Sequence, residues 1–501
     1  MSDDPFFTRT HAFLNWFKSQ PGTTFHNDIE IADLRSRGAG RGILATADIP
    51  ADTVLFTIPR TTIISKETSS LVSQLPQVFE TSVPQDVDHD MDGDDDPAAE
   101  VDTSQDSWTT LILILIHEHL LGPASRWAPY LAILPQGPTD FNTPMFWTDA
   151  ELAELQASPV VSKVGRDEAE AMIRTKILPV IRAHADVFFP PGSQSQPLTD
   201  DELIQLAFRM GSVIMAYAFD LEKEDDDDDD EEGGGDGEGD DGWVEDREGR
   251  STLGMVAMAD VLNADASFNT HIEHGENALT ATTLREIKKG EEVLNYYGPL
   301  STGELLRRYG YVTAGHRRWN LVDLSWESIL AALKGQFGGV LKAGEWEKVL
   351  GALDEDEMEE SFIIEYDAKD PDSEGRVEEV PTMSVNIPEE LVEQAKEMLK
   401  VVKKVREEAV PDKTARDRII YSAIATAIEE RSREYSTTYD QDQMSTLNHN
   451  DWSPRKRMAV SVRMGEKRVL LQALQHVRQK LAILEIAARD GDGRSAKRRK
   501  L

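Results

Sequence analysis

A nearly pure run of aspartate, glutamate and glycine, Glu222 to Asp241, divides this chain into two parts. Such a run has no apolar side chains to bury, so it cannot contribute to a packed core. We therefore predict a disordered acidic insertion over 222–246. A second acidic stretch, 86–102, contains proline and glycine and is likewise predicted to be a disordered surface insertion. The ordered elements must lie on either side of these two stretches.

The remainder of the chain is long and apolar enough to fold. Its 501 residues, 40% of them hydrophobic, leave room for two or three domains of roughly 150 residues each. The formal net charge of -39 repels phosphate, so direct binding of nucleic acid is not expected. A basic protein partner, such as a ribosomal protein or a histone, suits this charge better. Acidity that serves only solubility is the simpler explanation when the charge is considered alone.

Several kinds of site and segment are missing from the sequence. The chain has no cysteines, which removes disulfides, thiolate zinc sites and cysteine nucleophiles. His117-Glu118-His119 has the wrong spacing for two histidines on one helix face, so no metal site is expected. The first residues show no signal-peptide pattern. The most apolar segment, Leu111–Ile116, is shorter than the ~20 residues that span a bilayer, so we predict a buried helix and no membrane partner.

The first part of the chain combines a helix and strands with a longer helical stretch. His11–Lys18 has the pattern of an amphipathic helix. Alternating apolar residues over Ile43–Ile49 and Val54–Ile58 predict a β-hairpin after a glycine-rich turn. Threonine–glutamate pairs with the spacing of a capping box then predict two helix starts, at Thr148 with Glu151 and at Thr199 with Glu202. The second of these helices is predicted to continue to about Asp220.

Strands return after the long acidic run, and the chain then becomes helical. Ala278–Thr283 and Glu292–Tyr297 are predicted strands. Ser301 and Glu304 have the capping-box spacing that begins a short helix. From about Arg318 the apolar residues recur at helical spacing, most clearly on one face of 469–481. This change predicts a second, all-helical domain over 317–490, followed by a basic tail, 491–501.

Two groups of residues are chemically suggestive even when taken alone. Glycines 38, 40 and 42 let a ligand approach the main chain closely, although an ordinary tight turn is the commoner meaning of such a run. Four tyrosines lie close together in sequence: Tyr296, Tyr297, Tyr309 and Tyr311. Aromatic faces with phenol hydroxyls suit a cationic amine or a sulfonium, while plain packing in the core explains them equally well. The serines and histidines show no nucleophile-elbow motif, so the sequence gives no indication of a hydrolase.

Five blocks in a fixed order resemble the SET-domain lysine methyltransferases, and within them the branch of the Rubisco large-subunit methyltransferase. The blocks are GAGRGILATADIPADTVLFTIPR (from Gly38), SRWAPYLAILP (from Ser125) with MFW (Met145 to Trp147), MAYAFD (Met215 to Asp220), MVAMADVLNADASFN (from Met255) and GEEVLNYYGPLSTGELLRRYGYV (from Gly290). The stretch RMAVSVRMGEKRVLL, from Arg457, resembles the substrate-binding domain of the same group.

The resemblance implies an α+β fold. A SET domain of small, knotted β-sheets is expected over 26–316, after an N-terminal helix within 1–25. It is expected to contain a helical insertion, about 105–220, and to be followed by the helical substrate-binding domain. In this fold the segments of Asn263 and Tyr297 thread together and form the active site.

The resemblance also implies roles for individual residues. Tyr297 matches the catalytic tyrosine, and S-adenosyl-L-methionine is the implied cofactor. The implied cofactor-binding residues are Ala39, Gly40 and Arg41 (through the main chain), Tyr217, Asn263, Ala264 and Tyr309. The implied substrate-binding residues are Trp127, Tyr217 and Tyr297. Ala264 is a departure, because many relatives carry histidine there, but the fungal ribosomal branch of the family also reads Asn-Ala-Asp.

These matches predict transfer of a methyl group from S-adenosyl-L-methionine to a lysine of a basic protein, in particular a large-subunit ribosomal protein. Two alternatives stay open: a histone or another nuclear protein as the substrate, and a non-catalytic SET-like module that binds basic proteins. The presence of Asn263 and Tyr297 favours an enzyme over such a module. The run Lys497 to Lys500 predicts nuclear localisation, since short Lys/Arg-rich runs act as import signals, and the cytoplasm stays open as a further location.

Overall fold

The computed structural model describes residues 4–79, 106–190, 197–221, 252–353, 358–378, 384–447 and 451–498, with side chains described as far as 486. The predicted acidic insertions, 86–102 and 222–246, lie outside the described residues. The side chains of the basic tail do so as well.

Ten short strands lie among the described residues up to 298. They are β1 (Thr24–Phe25), β2 (Ile29–Asp33), β3 (Arg41–Ala45), β4 (Val54–Pro59), β5 (Ala218–Asp220), β6 (Leu253–Met255), β7 (Asn263–Ala264), β8 (Thr270–His274), β9 (Ala278–Thr283) and β10 (Glu292–Asn295). One four-stranded sheet has the order β1-β4-β9-β8 and the other has the order β2-β3-β10-β7, while β5 pairs with β6. Each larger sheet therefore joins strands from before and after the long acidic run.

The predicted hairpin of β3 and β4 is wrong. β3 pairs antiparallel with β2 and β10, whereas β4 pairs with β1 and β9. The residues between the two strands bond far along the chain: Ile49 exchanges backbone hydrogen bonds with Ile287, and the N–H of Asp52 donates to the oxygen of Thr283 at 2.8 Å. Because these distant partners satisfy the connecting backbone, the two strands enter different sheets.

A helix precedes the sheets, and a helical stretch lies between β4 and β5. These helices are α1 (Pro5–Ser19), α2 (Ser70–Gln74), α3 (Pro76–Phe79), α4 (Ser107–Leu121), α5 (Ala128–Leu131), α6 (Asp149–Leu152), α7 (Arg166–Met172), α8 (Leu178–Ala183), α9 (Ala185–Phe188) and α10 (Asp200–Tyr217). The predicted starts at Thr148 and Thr199 are confirmed, since each threonine forms a complete capping box. Among the described helices, none is long and apolar enough to cross a membrane.

Helix α4 carries the predicted buried segment. Leu111 to Ile116 are all 1% exposed or less, and they share one hydrophobic core with the inner faces of both larger sheets. The neighbouring His117 packs edge-on against Phe188, with ring centroids 5.9 Å apart. Glu118 accepts a hydrogen bond from the hydroxyl of Ser125 at 2.6 Å. In the described ranges, no group of three or more His, Asp and Glu side chains could hold a metal ion.

The C-terminal region is mainly helical, as predicted, with one addition. Its elements are α11 (Thr302–Tyr309), β11 (Leu321–Ser325), α12 (Trp326–Gln336), α13 (Ala343–Leu350), β12 (Ser361–Glu365), α14 (Glu389–Val405), α15 (Lys413–Glu434), α16 (Tyr439–Thr446) and α17 (Pro454–Arg498). β11 and β12 form a two-stranded antiparallel ladder, so the domain is not purely helical. A second hydrophobic core, separate from that of the sheets, joins α12, α14, α15 and α17.

The long C-terminal helix α17 also supports α11. Asn320 accepts a hydrogen bond from the N–H of Thr302, the first residue of α11, at 2.9 Å. Gly465 of α17 lies against that asparagine, and no side chain would fit between the two. Val462 packs with Leu306 and Val160 in a small third core. The C-terminal region thereby holds in place the helix that ends at Tyr309.

Candidate active site

Two short parallel strands form the floor of the site. β7 and β10 run side by side, with Leu294 opposite Asn263 and Asn295 opposite Ala264. Tyr297 follows the end of β10 and turns back over β7, where its hydroxyl donates to the oxygen of Leu262 at 2.9 Å. The two segments that the sequence predicted to meet are thus in direct contact.

The glycine-rich turn forms one side of the site. Gly38 has a φ of 83°, which glycine adopts without strain, and the N–H of Leu34 donates to the oxygen of Gly40 at 2.9 Å. At Gly42 a side chain has no room, because a Cβ would lie 2.8 Å from the Nδ2 atom of Asn263. At Gly40 the space is open, and a Cβ there meets no atom within 4 Å. The turn therefore presents bare main chain to the site.

Asn263 links this turn to β10. Its Nδ2 donates to the main-chain oxygen of Arg41 at 3.1 Å and to Oε1 of Glu292 at 2.7 Å. Both bonds fix the orientation of the amide, because the nitrogen must face the two acceptors. The sequence had identified Asn263 but not Glu292, which lies in the GEEVLNYYG block and has no distinguishing signal there.

These elements enclose a cavity of about 480 Å³. Its lining includes most of the predicted cofactor-binding and catalytic residues: Ala39, Gly40, Tyr217, Asn263, Ala264, Tyr297 and Tyr309. A second cavity, of about 420 Å³, adjoins it along Gly40, Tyr217 and Asn263 and contains Arg41. The cavity volumes are those of sites that hold ligands of small-molecule size.

Tyrosine rings form the opposite wall. The rings of Tyr297 and Tyr309 are stacked with centroids 4.4 Å apart, and Tyr311 meets Tyr309 edge-on at 6.4 Å. The Tyr311 hydroxyl donates to the oxygen of Ala264 at 2.9 Å. Burial raises the pKa of Tyr297 and Tyr311 well above the usual value for tyrosine, so both phenols are neutral near pH 7. Neutral aromatic rings attract a cation through their faces.

Tyr296 points away from this wall. Its ring stacks on Phe268 with centroids 4.7 Å apart and packs against Trp319 at 6.1 Å. It does not line either cavity. Tyr296 therefore packs outside the cavities, whereas Tyr297 lines the larger of the two.

Trp127 lies outside both cavities. Its ring is 2% exposed in the core of the sheets, and its Nε1–H donates to the oxygen of Thr62 at 2.8 Å. The indole N–H needs an acceptor when it is buried, and the Thr62 carbonyl provides one. The substrate-binding role of Trp127 stays a prediction.

Asp260 is a residue of the site that the sequence did not reveal. It lines both cavities and accepts a hydrogen bond from the hydroxyl of Tyr130 at 2.5 Å. Its Oδ1 atom has no hydrogen-bond partner among the described residues. Burial raises the pKa of this carboxyl to about 7. The sequence could have indicated Asp260, because it is a single acid inside the apolar run Met255–Asn263. A buried acid in such a run needs a partner or a function.

The comparisons with known proteins agree with this geometry. The SET domain family matches residues 40–298, and the Rubisco LSMT substrate-binding family matches residues 385–470. The chain belongs to the SET-domain family. The predicted family and the predicted pairing with a Rubisco-methyltransferase-type domain are both confirmed.

Two named relatives share much of this sequence. Ribosomal lysine N-methyltransferase 4 of Saccharomyces cerevisiae is 32% identical over 337 residues, which are 67% of this chain and 61% of that protein. Human N-lysine methyltransferase SETD6 is 29% identical over 279 residues, which are 55% of this chain and 48% of that protein. In both comparisons the match spans less than two thirds of the relative.

Two solved structures share their fold with nearly the whole of this chain. "Structure of Rubisco LSMT bound to AdoMet" covers 95% of this chain and 93% of its own, with a TM-score of 0.57 and 18% identity. "Crystal structure of the SET domain of LSMT bound to Lysine and AdoHcy" gives a TM-score of 0.57 at 17% identity, over 95% of this chain and 92% of its own. At this identity the match establishes the fold.

Proposed function

We propose that this protein is a protein-lysine N-methyltransferase that uses S-adenosyl-L-methionine. The observation that carries the proposal is the meeting of Tyr297, Asn263 and the bare glycine turn around one cavity. Both named relatives are lysine methyltransferases, and a solved structure of the same fold is described as bound to AdoMet, which supports the same activity.

The residues around the cavity fit this cofactor. Gly40 leaves open space where a side chain would close both cavities. In the proposed complex the main chain of Ala39, Gly40 and Arg41 holds the cofactor together with the side chains of Tyr217, Asn263 and Tyr309.

When bound, S-adenosyl-L-methionine would supply an activated methyl group for the lysine nitrogen, with its sulfur as the leaving group. The residues of the chain must provide a neutral amine, because a lysine in water has a pKa near ~10.4. Loss of water around the amine inside the cavity disfavours its charged form. Alignment of the reacting atoms is then worth several kcal/mol.

In this proposal Tyr297 orients the amine. Its single hydroxyl proton is committed to the oxygen of Leu262, so its lone pairs remain to accept an N–H from the lysine. The stacked ring of Tyr309 keeps the phenol in this position. No residue of the site needs to be ionised for this role, which agrees with the raised pKa of Tyr297.

A lysine of a large-subunit ribosomal protein is the proposed target. The supporting observation is the 32% identity to the yeast enzyme, whose name specifies a ribosomal substrate. The net charge of -39 suits a basic protein of this kind. We further propose a nuclear location on the basis of the run Lys497 to Lys500.

Two measurements on the full chain test this function. S-adenosyl-L-methionine should raise the melting temperature, because a ligand that binds only the folded state stabilises it. Methyl-labelled cofactor should then label large-subunit ribosomal proteins taken from cells that lack this gene, and not core histones; Tyr297→Phe serves as the inactive control. Absence of any shift at millimolar cofactor contradicts the enzyme, whereas labelling of histones alone contradicts only the ribosomal target.

A further inference from the structure

One wall of the larger cavity is an irregular segment of the helical insertion. Its first residues, 141–143, line that cavity. We call residues 141–147 the wall turn. It lies directly against the aromatic wall, because a Cβ at Gly310, the residue after Tyr309, would meet the N atom of Thr143 at 2.9 Å. A shift of the wall turn would therefore move Tyr309 as well.

The main-chain oxygens of the wall turn are bonded mostly by side chains. The oxygens of Thr143 and Pro144 accept the backbone N–H groups of Phe146 and Trp147, both at 3.1 Å. Side chains donate to the other five oxygens, one of which, that of Asn142, accepts the Nε1–H of Trp147 at 2.6 Å. Because buried main-chain oxygens need partners, these side chains take the place of a helix or a sheet.

Arg455 bridges the wall turn from its first residue to its sixth. Its Nη2 donates to the oxygen of Phe141 at 2.9 Å, and its Nη1 donates to the oxygen of Phe146 at 3.1 Å. Glu151 of α6 accepts from the same Nη1 at 2.9 Å and holds the guanidinium in place. The Arg455 side chain is only 18% exposed, so water competes weakly for these bonds.

The bridge comes from a different part of the chain. Arg455 lies in the first turn of α17, the helix that packs in the second hydrophobic core. It also lies within the residues that match the Rubisco LSMT substrate-binding family, 385–470. The C-terminal region thus reaches a wall of the cavity that the SET domain forms.

Arg166, the first residue of α7, is the second arginine on the wall turn. Its Nε donates to the oxygen of Met145 at 2.9 Å, and its Nη2 donates to the oxygens of Pro144 and Trp147. Arginine suits such a position because its planar fork of five N–H groups can bond several oxygens in fixed directions. Neither arginine lines either cavity, so each acts through the wall turn.

We propose that Arg455 is a positioning residue for methyl transfer: it fixes the wall turn from the C-terminal region, and Arg166 fixes the same turn from α7. This inference rests on the proposed function. The wall turn packs against the residue after Tyr309, and the Tyr309 ring stacks on that of Tyr297 at 4.4 Å. The C-terminal region thereby acts on the rate of the reaction through the position of Tyr297.

The test measures the initial rate of methyl transfer and the melting temperature of full-length variants. The rate is taken with saturating methyl-labelled S-adenosyl-L-methionine, at a temperature where every variant is folded. Large-subunit ribosomal proteins from cells that lack this gene are the substrate, and core histones take their place where the wild type labels only histones. Arg455→Met should lower the rate about 10- to 100-fold, since a displacement of about 1 Å in a site has an effect of this size. Arg166→Met should lower it in the same way.

Lys456→Met is the matched control. Lys456 is the next residue of α17 and donates to Glu154 at 2.6 Å, so it joins the same two parts of the chain, but its partner lies outside the wall turn. This variant should keep the wild-type rate even where its melting temperature falls. Arg455→Lys should recover the melting temperature more than the rate, because one ammonium can pair with Glu151 but does not replace the fork that bridges the wall turn.

The control separates positioning from the docking of the two regions. Equal losses of rate in Arg455→Met and Lys456→Met overturn the positioning role, and so does a wild-type rate in both Arg455→Met and Arg166→Met. Either result leaves the methyltransferase proposal standing, whereas a wild type that labels neither kind of protein overturns both proposals. If Arg455→Met does not fold, Arg455→Lys and Arg166→Met decide the question by the same criteria.

Discussion

The hydroxyl of Tyr297 donates a hydrogen bond to the main-chain oxygen of Leu262 at 2.9 Å, across 35 residues of sequence. Two residues further along the same segment, the oxygen of Ala264 accepts the hydroxyl of Tyr311, also at 2.9 Å. The segment Leu262 to Ala264 thus accepts hydrogen bonds from two tyrosine hydroxyls. The rings of both tyrosines pack against Tyr309. The hydroxyl groups of Tyr297 and Tyr311 thereby anchor the aromatic wall of the cavity.

The first prediction concerns Tyr297→Phe. The change removes the oxygen that we propose orients the amine, but it keeps the ring that stacks on Tyr309. Turnover should fall about 100-fold or more, as it does when one catalytic hydrogen-bonding group is removed. The dissociation constant for S-adenosyl-L-methionine should change little. Steady-state kinetics together with calorimetry separate the two quantities.

Tyr296→Phe is the matched control for this experiment. The hydroxyl of Tyr296 has no partner among the described residues, and its ring packs against Phe268 and Trp319 away from both cavities. Its turnover should stay close to that of the wild type. A Tyr297→Phe enzyme that keeps wild-type turnover, or a Tyr296→Phe enzyme that loses as much, would remove Tyr297 from its assigned role.

The second prediction concerns Asn263→Ala. The amide nitrogen of Asn263 is shared between the oxygen of Arg41 and the carboxylate of Glu292. Its removal leaves both acceptors without this donor, which should lower the free energy of unfolding by about 1–3 kcal/mol. The same change should weaken the stabilisation by S-adenosyl-L-methionine. Thermal unfolding with and without the cofactor measures both effects.

The two melting experiments distinguish a structural role of Asn263 from a role in binding the cofactor. If the melting temperature falls but the cofactor stabilises the variant as much as the wild type, Asn263 has a structural role alone. Asn142→Ala provides a comparison, because Asn142 also lines the larger cavity but is not a predicted cofactor ligand. That variant should bind the cofactor as the wild type does.

Local motifs predicted which segments meet at this cavity, whereas the pairing between distant strands was not predictable from such motifs. The blocks around Gly40, Asn263 and Tyr297 are ordered, short and chemically distinctive, and the structure brings them to one cavity. The hairpin of β3 and β4 was wrong because each strand takes partners from beyond the long acidic run. Alternation of apolar residues shows that a segment is a strand, but it does not name the strand's partner.

Other residues needed the three-dimensional structure for physical reasons. Trp127 lies in a recognisable block, yet only its burial shows that the indole N–H is used by Thr62. The guanidinium of Arg41 donates hydrogen bonds to the oxygens of Ile133 and Phe6, which are far away in sequence. Hydrogen-bond satisfaction of this kind is a property of the folded chain, so sequence patterns do not contain it.

The third prediction concerns pH and Glu466 of α17. This side chain is 7% exposed and accepts hydrogen bonds from Ser158 at 2.7 Å and from Tyr435 at 2.9 Å. Burial raises its pKa from the usual 4.5 to about 7. Folding therefore favours the protonated acid, whose stabilising contribution is full below pH 4.5 and is lost as the pH rises through about 7.

Glu466→Gln should remove that pH dependence, because glutamine is neutral throughout. The difference in unfolding free energy between the wild type and the variant should change across pH 4.5–7 by up to ~1.4 kcal/mol per pH unit. Chemical denaturation at several pH values measures it, with Glu430→Gln, an exposed residue of α15, as the control. Parallel curves for the wild type and Glu466→Gln contradict the prediction.

The fourth prediction concerns the buried ionic cluster that joins α16 and α17. Asp442 is 1% exposed and binds Arg463 at 2.8 Å and Lys467 at 2.6 Å. Asp442→Ala leaves two buried cations with less compensation, which should cost about 3–5 kcal/mol of stability. Denaturant unfolding of the full chain measures the loss. The same truncation at Asp440, an exposed residue of α16, should cost far less stability. Equal losses would show that the buried ion pairs of Asp442 do not make it more important for stability than an exposed aspartate.

The last prediction separates two glycines of one turn. Gly40→Ala places a methyl group where no protein atom lies within 4 Å, so the melting temperature without ligand should stay near that of the wild type. At Gly42 the new Cβ would approach Oε1 of Glu292 at 2.7 Å and Nδ2 of Asn263 at 2.8 Å. Overpacking of this kind costs about 1–3 kcal/mol, so Gly42→Ala should melt at a lower temperature.

Gly40→Ala should instead lose affinity for S-adenosyl-L-methionine, because its methyl group occupies the boundary between the two cavities. Thermal shifts with and without the cofactor distinguish the two effects, and a Gly40→Ala protein that binds the cofactor normally contradicts the proposed placement of the cofactor against this turn.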